Sequence, residues 1–147
     1  MEGTPYKISQ IDEYVFEFRS IGRKKLLKQV EFTLINSNQN IYNLSLGTVL
    51  ENGEVDYEDS SNNGNIVTVF ATIIVCIKAF NKIFPKRVIY FRGNTAQKSR
   101  GYNEILRRHY YEFSKDFHIF WVRVIDNFME KFDVLENYSG FYLANKI

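Results

Sequence analysis

The stretch that decides the fold is Arg87–Asn103, which reads RVIYFRGNTAQKSRGYN. A short apolar run, Val88–Phe91, is followed by the polar residues Arg92–Thr95, and an amphipathic pattern begins near Ala96. This order predicts a strand, a tight turn and the start of a helix. The bases around the turn are Arg87, Arg92, Lys98 and Arg100. The junction is therefore expected to be polar and receptive to anions.

The pattern on either side of this stretch predicts an α+β fold. Residues 14–20, 26–35 and 41–50 alternate apolar and polar, and their short connections favour antiparallel strands. The apolar segment 65–84 predicts a buried helix that stops at Pro85. Further predictions are strands at 87–91, 117–124 and 138–144, a helix after 96 and a short helix at 126–132. Together they indicate an antiparallel sheet of about five or six strands with two main helices packed on it.

Length and composition place limits on the class of protein. The 147 residues, 45% of them hydrophobic and 16% aromatic, predict one folded domain spanning 1–147 and exclude disorder. A single cysteine, Cys76, allows no disulfide within the chain and favours a reducing cytoplasm. No segment resembles a signal peptide, and the apolar run 66–77 is shorter than the roughly 20 residues a membrane span needs. A cytoplasmic protein without a membrane partner is expected.

The net charge of +2 is unevenly distributed. Residues 66–115 hold ten bases against two acids, whereas 51–65 hold five acids and no base. The acidic part of that segment, 51–59, is predicted to form a loop. A basic half of this kind is typical of proteins that bind phosphate-bearing partners. Ordinary surface charges that compensate one another in the fold explain the same distribution, so both interpretations stay open.

The start of the helix after Thr95 is the first candidate site. Backbone amides at a helix start lack partners within the helix, and the helix dipole favours an anion there. Gly93 would let a ligand approach the backbone, and Arg92, Lys98 and Arg100 would add charged contacts to phosphate. The alternative is purely structural: Asn94 or Thr95 caps the helix and Gly93 makes the turn.

Other kinds of site have little support in the sequence. His109 and His118 lack metal-ligand spacing, and no P-loop or dinucleotide fingerprint is present. Neither a metal nor a cofactor is predicted. Cys76 has apolar neighbours, which raise a thiol pKa and argue against a nucleophile.

Metal-free phosphodiester cleavage is one reaction these residue types can perform. Arg100 and Lys28 would stabilise phosphate charge, while Tyr102 or a lysine moved protons. Arg100 and Tyr102 are two residues apart, so they point in different directions unless the helix starts late, which Gly101 between them would allow. Whether the protein is an enzyme stays open.

The chain resembles a family of small bacterial proteins of unknown function, frequent in Bacteroidota. The motifs that carry the resemblance are Tyr14-x-Phe16-x-Phe18-x-Ser20-x-Gly22, Lys28-x-Val30-x-Phe32, Tyr42-Asn43-Leu44, Ser61-Asn62-Asn63-Gly64 and Gly93-Asn94-Thr95-x-x-x-x-Arg100-x-Tyr102. Asn94 and Gly101 stand where the family pattern has serine and leucine. The resemblance implies one α+β domain, and it brings together Lys28, Asn43, Asn63, Thr95, Arg100 and Tyr102 as candidate site residues.

Two classes of function follow. The first is a protein that binds a phosphate-bearing ligand, either nucleic acid or a nucleotide, with a nuclease-like effector of a toxin–antitoxin or phage-defence system as one form of it. In this class Lys28, Arg100 and Tyr102 are the catalytic candidates. The ligand-binding candidates are Asn43, Asn63, Arg92, Gly93, Asn94, Thr95 and Lys98. The second class is a non-catalytic protein-interaction module, antitoxin-like or oligomer-forming, in which the many aromatic residues pack against a partner.

Overall fold

The computed structural model of the chain describes residues 4–58, 63–93, 95–122, 129–131 and 140–146. Within these residues the strands are β1 (Ile8–Asp12), β2 (Val15–Ile21), β3 (Lys25–Asn36), β4 (Ile41–Val49), β5 (Val55–Asp56), β6 (Val88–Phe91), β7 (Phe117–Val122), β8 (Met129–Lys131) and β9 (Gly140–Asn145). The helices are α1 (Ile66–Ile83), α2 (Ala96–Arg108) and α3 (Tyr110–Phe113). The predicted α+β class is confirmed.

The strands form one mixed sheet in the order β1-β2-β3-β4-β6-β9-β7-β8, with the two-residue β5 beside β4. The predicted count of five or six strands was too low, because β1 is an exposed edge strand without an apolar pattern and β5 and β8 are short. The short helix predicted at 126–132 was wrong at 129–131, which form β8, and the rest of that segment lies outside the described residues.

The prediction that the sheet is antiparallel was wrong for one pair of strands, because β4 and β6 run parallel. α1 provides the crossover between them, since a parallel neighbour cannot be reached by a tight hairpin. The antiparallel order of β2, β3 and β4 is confirmed. The path from β6 through α2 and α3 then leads to β7, and β9 inserts between β6 and β7.

All three helices pack on one face of the sheet. Phe70 of α1 contacts Tyr102 of α2, Phe113 of α3 and the sheet residues Phe91 and Phe141. Further along α1, Phe80 stacks on Phe32 of β3 with ring centroids 4.1 Å apart. These aromatic contacts explain why the mostly apolar segment is stable as a helix despite its many β-branched residues.

α1 is also, among the described residues, the one helix that is long and apolar enough to cross a membrane. Its mean hydropathy is 1.9, and 56% of its 18 residues are buried inside the fold. The core helix of a folded domain has the same length and composition, so this property is weak evidence for a membrane span.

Register places a few polar side chains on the face that the helices cover. Phe18 of β2 lies opposite Lys28 of β3, which lies opposite Thr48 of β4. Because residues opposite one another share a face, Lys28 and Thr48 point to the same side as the buried Phe18. Ser20, two residues further along β2, is buried as well. This corner of the core is therefore polar, and it is where the candidate site lies.

Candidate functional site

A cavity opens where β4 and β6 separate. The two strands pair only over Ile41–Asn43 and Val88–Tyr90, after which β4 continues while the chain leaves β6 and turns into α2. The cavity has a volume of about 340 Å³ and is called here the first chamber. It is lined by Lys28, Asn43, Leu44, Ser45, Leu46, Thr48, Tyr57, Glu58, Phe91, Arg92, Gly93, Lys98 and Tyr102.

A second cavity of about 270 Å³, the second chamber, lies next to it. It is lined by Ser20, Lys28, Leu46, Asn63, Asn65, Ile66, Val69, Thr95, Gln97, Lys98, Gly101 and Tyr102. Four residues line both chambers: Lys28, Leu46, Lys98 and Tyr102. The chambers therefore share a wall that joins β3 and β4 to α2, and together they form one candidate site.

Lys28 is the most informative residue of this wall. It is only 7% exposed, and its Nζ donates a hydrogen bond of 2.6 Å to Oγ1 of Thr48. A buried ammonium group is costly unless polar or charged groups surround it, so lysines are rarely this buried. The sequence nevertheless places a lysine at an inward position of a central strand. The predicted inclusion of Lys28 in a site thus has a structural basis, since it lines both chambers.

Two further cations border the site. Lys98, in the first turn of α2, is half-buried and lines both chambers, while Arg92 is exposed and lines the first. Glu58 is the only acid among the described residues that line either chamber, and its side chain is exposed. The site therefore has an excess of positive charge, as anion binding requires.

The start of α2 shows what the Gly93–Thr95 turn does locally. Thr95 is the N-cap, and its side chain accepts a 3.1 Å hydrogen bond from the backbone N–H of Lys98. A Cβ on Gly93 would lie 2.4 Å from the backbone nitrogen of Ser99, so only glycine allows the turn to pack this closely. The structural alternative is thus correct for both residues. Both still line the site, Gly93 in the first chamber and Thr95 in the second. The prediction for Asn94 falls outside the described residues.

Tyr102 forms the inner wall of both chambers. It is 4% exposed, and its ring packs against Phe70 and Phe91. Burial raises the pKa of its phenol to about 12, because the phenolate would lose its hydration. The side chain is therefore neutral near pH 7 and can donate a proton in a hydrogen bond, but it is a poor general base.

Asn63 was predicted to bind ligand, and the structure shows a structural role for its side chain. Its Nδ2 donates to Ser20 Oγ and to the carbonyl of Lys24, at 3.1 and 2.9 Å, and its Oδ1 accepts from the Lys24 N–H at 2.8 Å. A Cβ on Gly22 would lie 1.9 Å from the Asn63 carbonyl oxygen. These contacts connect the β2–β3 turn to the segment that leads into α1. Asn63 also lines the second chamber.

The other sequence-predicted residues divide between the site and the surface. Asn43 lines the first chamber and donates from Nδ2 to Ser45 Oγ at 2.9 Å. Arg100 is exposed and lines neither chamber, so the structure gives its catalytic assignment no contact with the site. His109 and His118 likewise lie outside both linings. Among the described residues, no group of three or more His, Cys, Asp or Glu is placed to hold a metal ion.

Thr48 and Tyr57 are among the residues lining the first chamber that the sequence reasoning missed. Thr48 is the partner of Lys28, and Tyr57 follows β5. The hydroxyl of Tyr57 donates to Glu31 Oε2 at 2.6 Å and accepts from Gln29 Nε2 at 3.0 Å. Burial and the bond to Glu31 raise the pKa of Tyr57 to about 12. No local pattern signals either residue, because both contacts depend on register between distant segments.

Comparison with known proteins identifies the family. No curated protein and no solved structure matches the chain significantly. A family model does match, over residues 2–146, which is nearly the whole chain. The chain therefore belongs to DUF6934, a family of unknown function, as its motifs predicted.

Proposed function

We propose that the two-chambered site binds a phosphate-bearing ligand, either a nucleotide or an accessible segment of nucleic acid. The observation that carries the proposal is the buried ammonium group of Lys28 in the wall shared by the two chambers. Arg92 and Lys98 border the same space. A concave pocket of about 340 Å³ has the size of a small-molecule site and is too small to admit a double helix.

The electrostatics favour an anion over a neutral ligand. Charges inside a protein interact more strongly than in water, because the surrounding medium is less polarisable. A phosphate in the first chamber would offset part of the desolvation cost of Lys28 and would accept hydrogen bonds from its Nζ and from Lys98. Arg92 can add a two-point contact from the rim.

The geometry supports binding more directly than cleavage. Hydrolysis of a phosphodiester usually needs a group that accepts a proton as well as one that donates it. Burial raises the pKa of Tyr102 to about 12, which makes it a poor proton acceptor, and neither chamber is lined by histidine among the described residues. The one carboxylate among the described lining residues, Glu58, is exposed. The nuclease-like role and its toxin–antitoxin or phage-defence setting therefore stay predictions.

Nucleotide titrations combined with a salt series test the proposal. Calorimetric titration of the protein with ATP, inorganic phosphate and single-stranded oligonucleotides is expected to show saturable binding of at least one of them. The affinity should fall steeply with added salt, because phosphate binding displaces counterions. Absence of binding by all three probes at low salt would contradict the proposal.

The same samples test the alternative role as a protein-interaction module. Leu34 and Ile35, near the end of β3, are adjacent and exposed, as residues at a contact with a partner or a second copy would be. An oligomer that persists at high salt, together with failure to bind the phosphate probes, would favour this alternative.

A further inference from the structure

The second chamber differs in chemistry from the first. Its wall includes the apolar side chains of Leu46, Ile66 and Val69 together with the ring of Tyr102. The charged side chains that line it, Lys28 and Lys98, are those it shares with the first chamber. The charge therefore lies on the wall that the chambers share, and Ile66 and Val69 offer apolar surface away from that wall.

The polar residues on that far side are used by the fold itself. Ser20 Oγ accepts hydrogen bonds from Nδ2 of both Asn63 and Asn65, at 3.1 and 2.8 Å. Asn65 Nδ2 also donates to the hydroxyl of Tyr6 at 2.7 Å, and the Asn63 amide is bonded to the backbone of Lys24. These groups hold the start of α1 to β2, which leaves the chamber suited to an apolar or aromatic group.

Gly101 keeps this chamber open. It lies inside α2, where glycine is less favourable than alanine by about 1 kcal/mol, so local helix propensity does not explain it. It lines the second chamber, and a Cβ at this position would lie 2.5 Å from Cδ1 of Ile66. A larger side chain here would have to displace Ile66 or occupy the chamber.

We propose that the ligand is a nucleoside phosphate whose phosphate lies in the first chamber and whose base lies in the second, with Gly101 as the residue that admits the base. This inference rests on the proposed function. Ile66 and Val69 offer apolar surface to the faces of a base, and the carboxamide of the exposed Gln97 can pair with the polar edge of the base. An alkyl chain would leave that edge interaction unused.

Comparison of ligands that lack one part of a nucleotide tests the inference. The probes are AMP, UMP, ribose 5-phosphate and hexyl phosphate, titrated under identical low-salt conditions. Burial of a base against these apolar side chains contributes on the order of 1–3 kcal/mol, so AMP or UMP is expected to bind about tenfold or more tightly than ribose 5-phosphate. Equal affinity of the nucleotides and ribose 5-phosphate would overturn the inference, as would hexyl phosphate binding as tightly as the nucleotides.

Variants at Gly101 separate this inference from the proposed function. Gly101→Leu should reduce the ratio of nucleotide affinity to ribose 5-phosphate affinity to about one, because the base can no longer enter the second chamber. Gly101→Ala is the second variant: it meets only the flexible end of Ile66 and raises helix propensity, so it should fold and show a smaller loss. Nucleotide affinity unchanged in both variants would overturn the role of the second chamber. Failure of every probe to bind the wild-type protein would instead refute the proposed function.

Discussion

Replacement of Lys28 by methionine separates a functional lysine from a structural one. The substitution keeps an unbranched side chain of similar length and removes the ammonium group. Its hydrogen bond to Thr48, 2.6 Å long, belongs to the class that contributes about 1.5–3 kcal/mol. Burial of the charge costs several kcal/mol in the opposite direction. We therefore expect the free energy of unfolding of Lys28→Met to be unchanged or raised by up to about 2 kcal/mol.

Ligand binding should respond in the opposite sense. If Nζ of Lys28 contacts a bound phosphate, loss of that charged hydrogen bond weakens binding by about 1.5–3 kcal/mol, or roughly 10- to 150-fold. The assay pairs urea unfolding with calorimetric titration of phosphate and AMP. Lys25→Met is the matched control, because Lys25 lies on the same strand, is exposed and lines neither chamber. It removes the same charge from the protein.

Two results would refute this reasoning. One is phosphate binding by Lys28→Met equal to that of Lys25→Met, which would show that the buried charge does not contact the ligand. The other is destabilisation of Lys28→Met by more than about 3 kcal/mol, the range seen when a buried polar network is broken. In that case Lys28 maintains the sheet, and its position beside the chambers is incidental.

Three further predictions concern stability. Asn63→Ala removes two side-chain hydrogen bonds to Lys24 in the β2–β3 turn and one to Ser20 of β2, so we expect a loss of about 2–4 kcal/mol in urea unfolding. A variant as stable as wild type would contradict this role. Gly93→Ala places a Cβ 2.4 Å from the backbone nitrogen of Ser99, so it should lower the free energy of unfolding by about 1–3 kcal/mol. Thermal unfolding measures this loss, and an unchanged Tm would show that the turn is loosely packed. Burial raises the pKa of Tyr102 and of Cys76 to about 12, from 10.0 and 9.0. The folded state favours the neutral form of both side chains. The stability that the two groups contribute is therefore fully present below about pH 9 and is lost as the pH rises towards 12. Tyr102→Phe should reduce that loss above pH 10 by about 2–3 kcal/mol, and an identical pH profile would contradict the burial argument.

Most of the secondary structure could be predicted because it is encoded locally. The alternation in β2, β3 and β4 and the apolar length of α1 identify these elements without tertiary information. The exposed strand β1 has no such pattern, and it was missed. The parallel pairing of β4 with β6 was missed for a different reason. It depends on α1 carrying the chain across the sheet, and no short window of sequence records that path.

The candidate site shows the same division. The turn at Gly93 and the cap at Thr95 were predicted from local chemistry. The wall shared by the chambers could not be predicted in this way. Lys28 and Thr48 are twenty residues apart in sequence, and they meet only through the register of β3 against β4. The apolar side of the second chamber likewise needs α1 and α2 to be packed together before Ile66 and Gly101 can approach each other.

Helix periodicity alone could have predicted one part of the site, namely which basic side chain of α2, Lys98 or Arg100, lies beside Tyr102. Tyr102 faces the core, and residues three and four apart share a helix face, so Lys98 lies on the same side as Tyr102. Arg100 shares its face instead with Glu104, which is exposed and pairs with Arg108 at 3.6 Å. A straight helix therefore cannot present Arg100 and Tyr102 to one ligand. An anion beside Tyr102 would lie among Lys98, Lys28 and a phenol that stays protonated near neutral pH, so three donors could bind its phosphate oxygens.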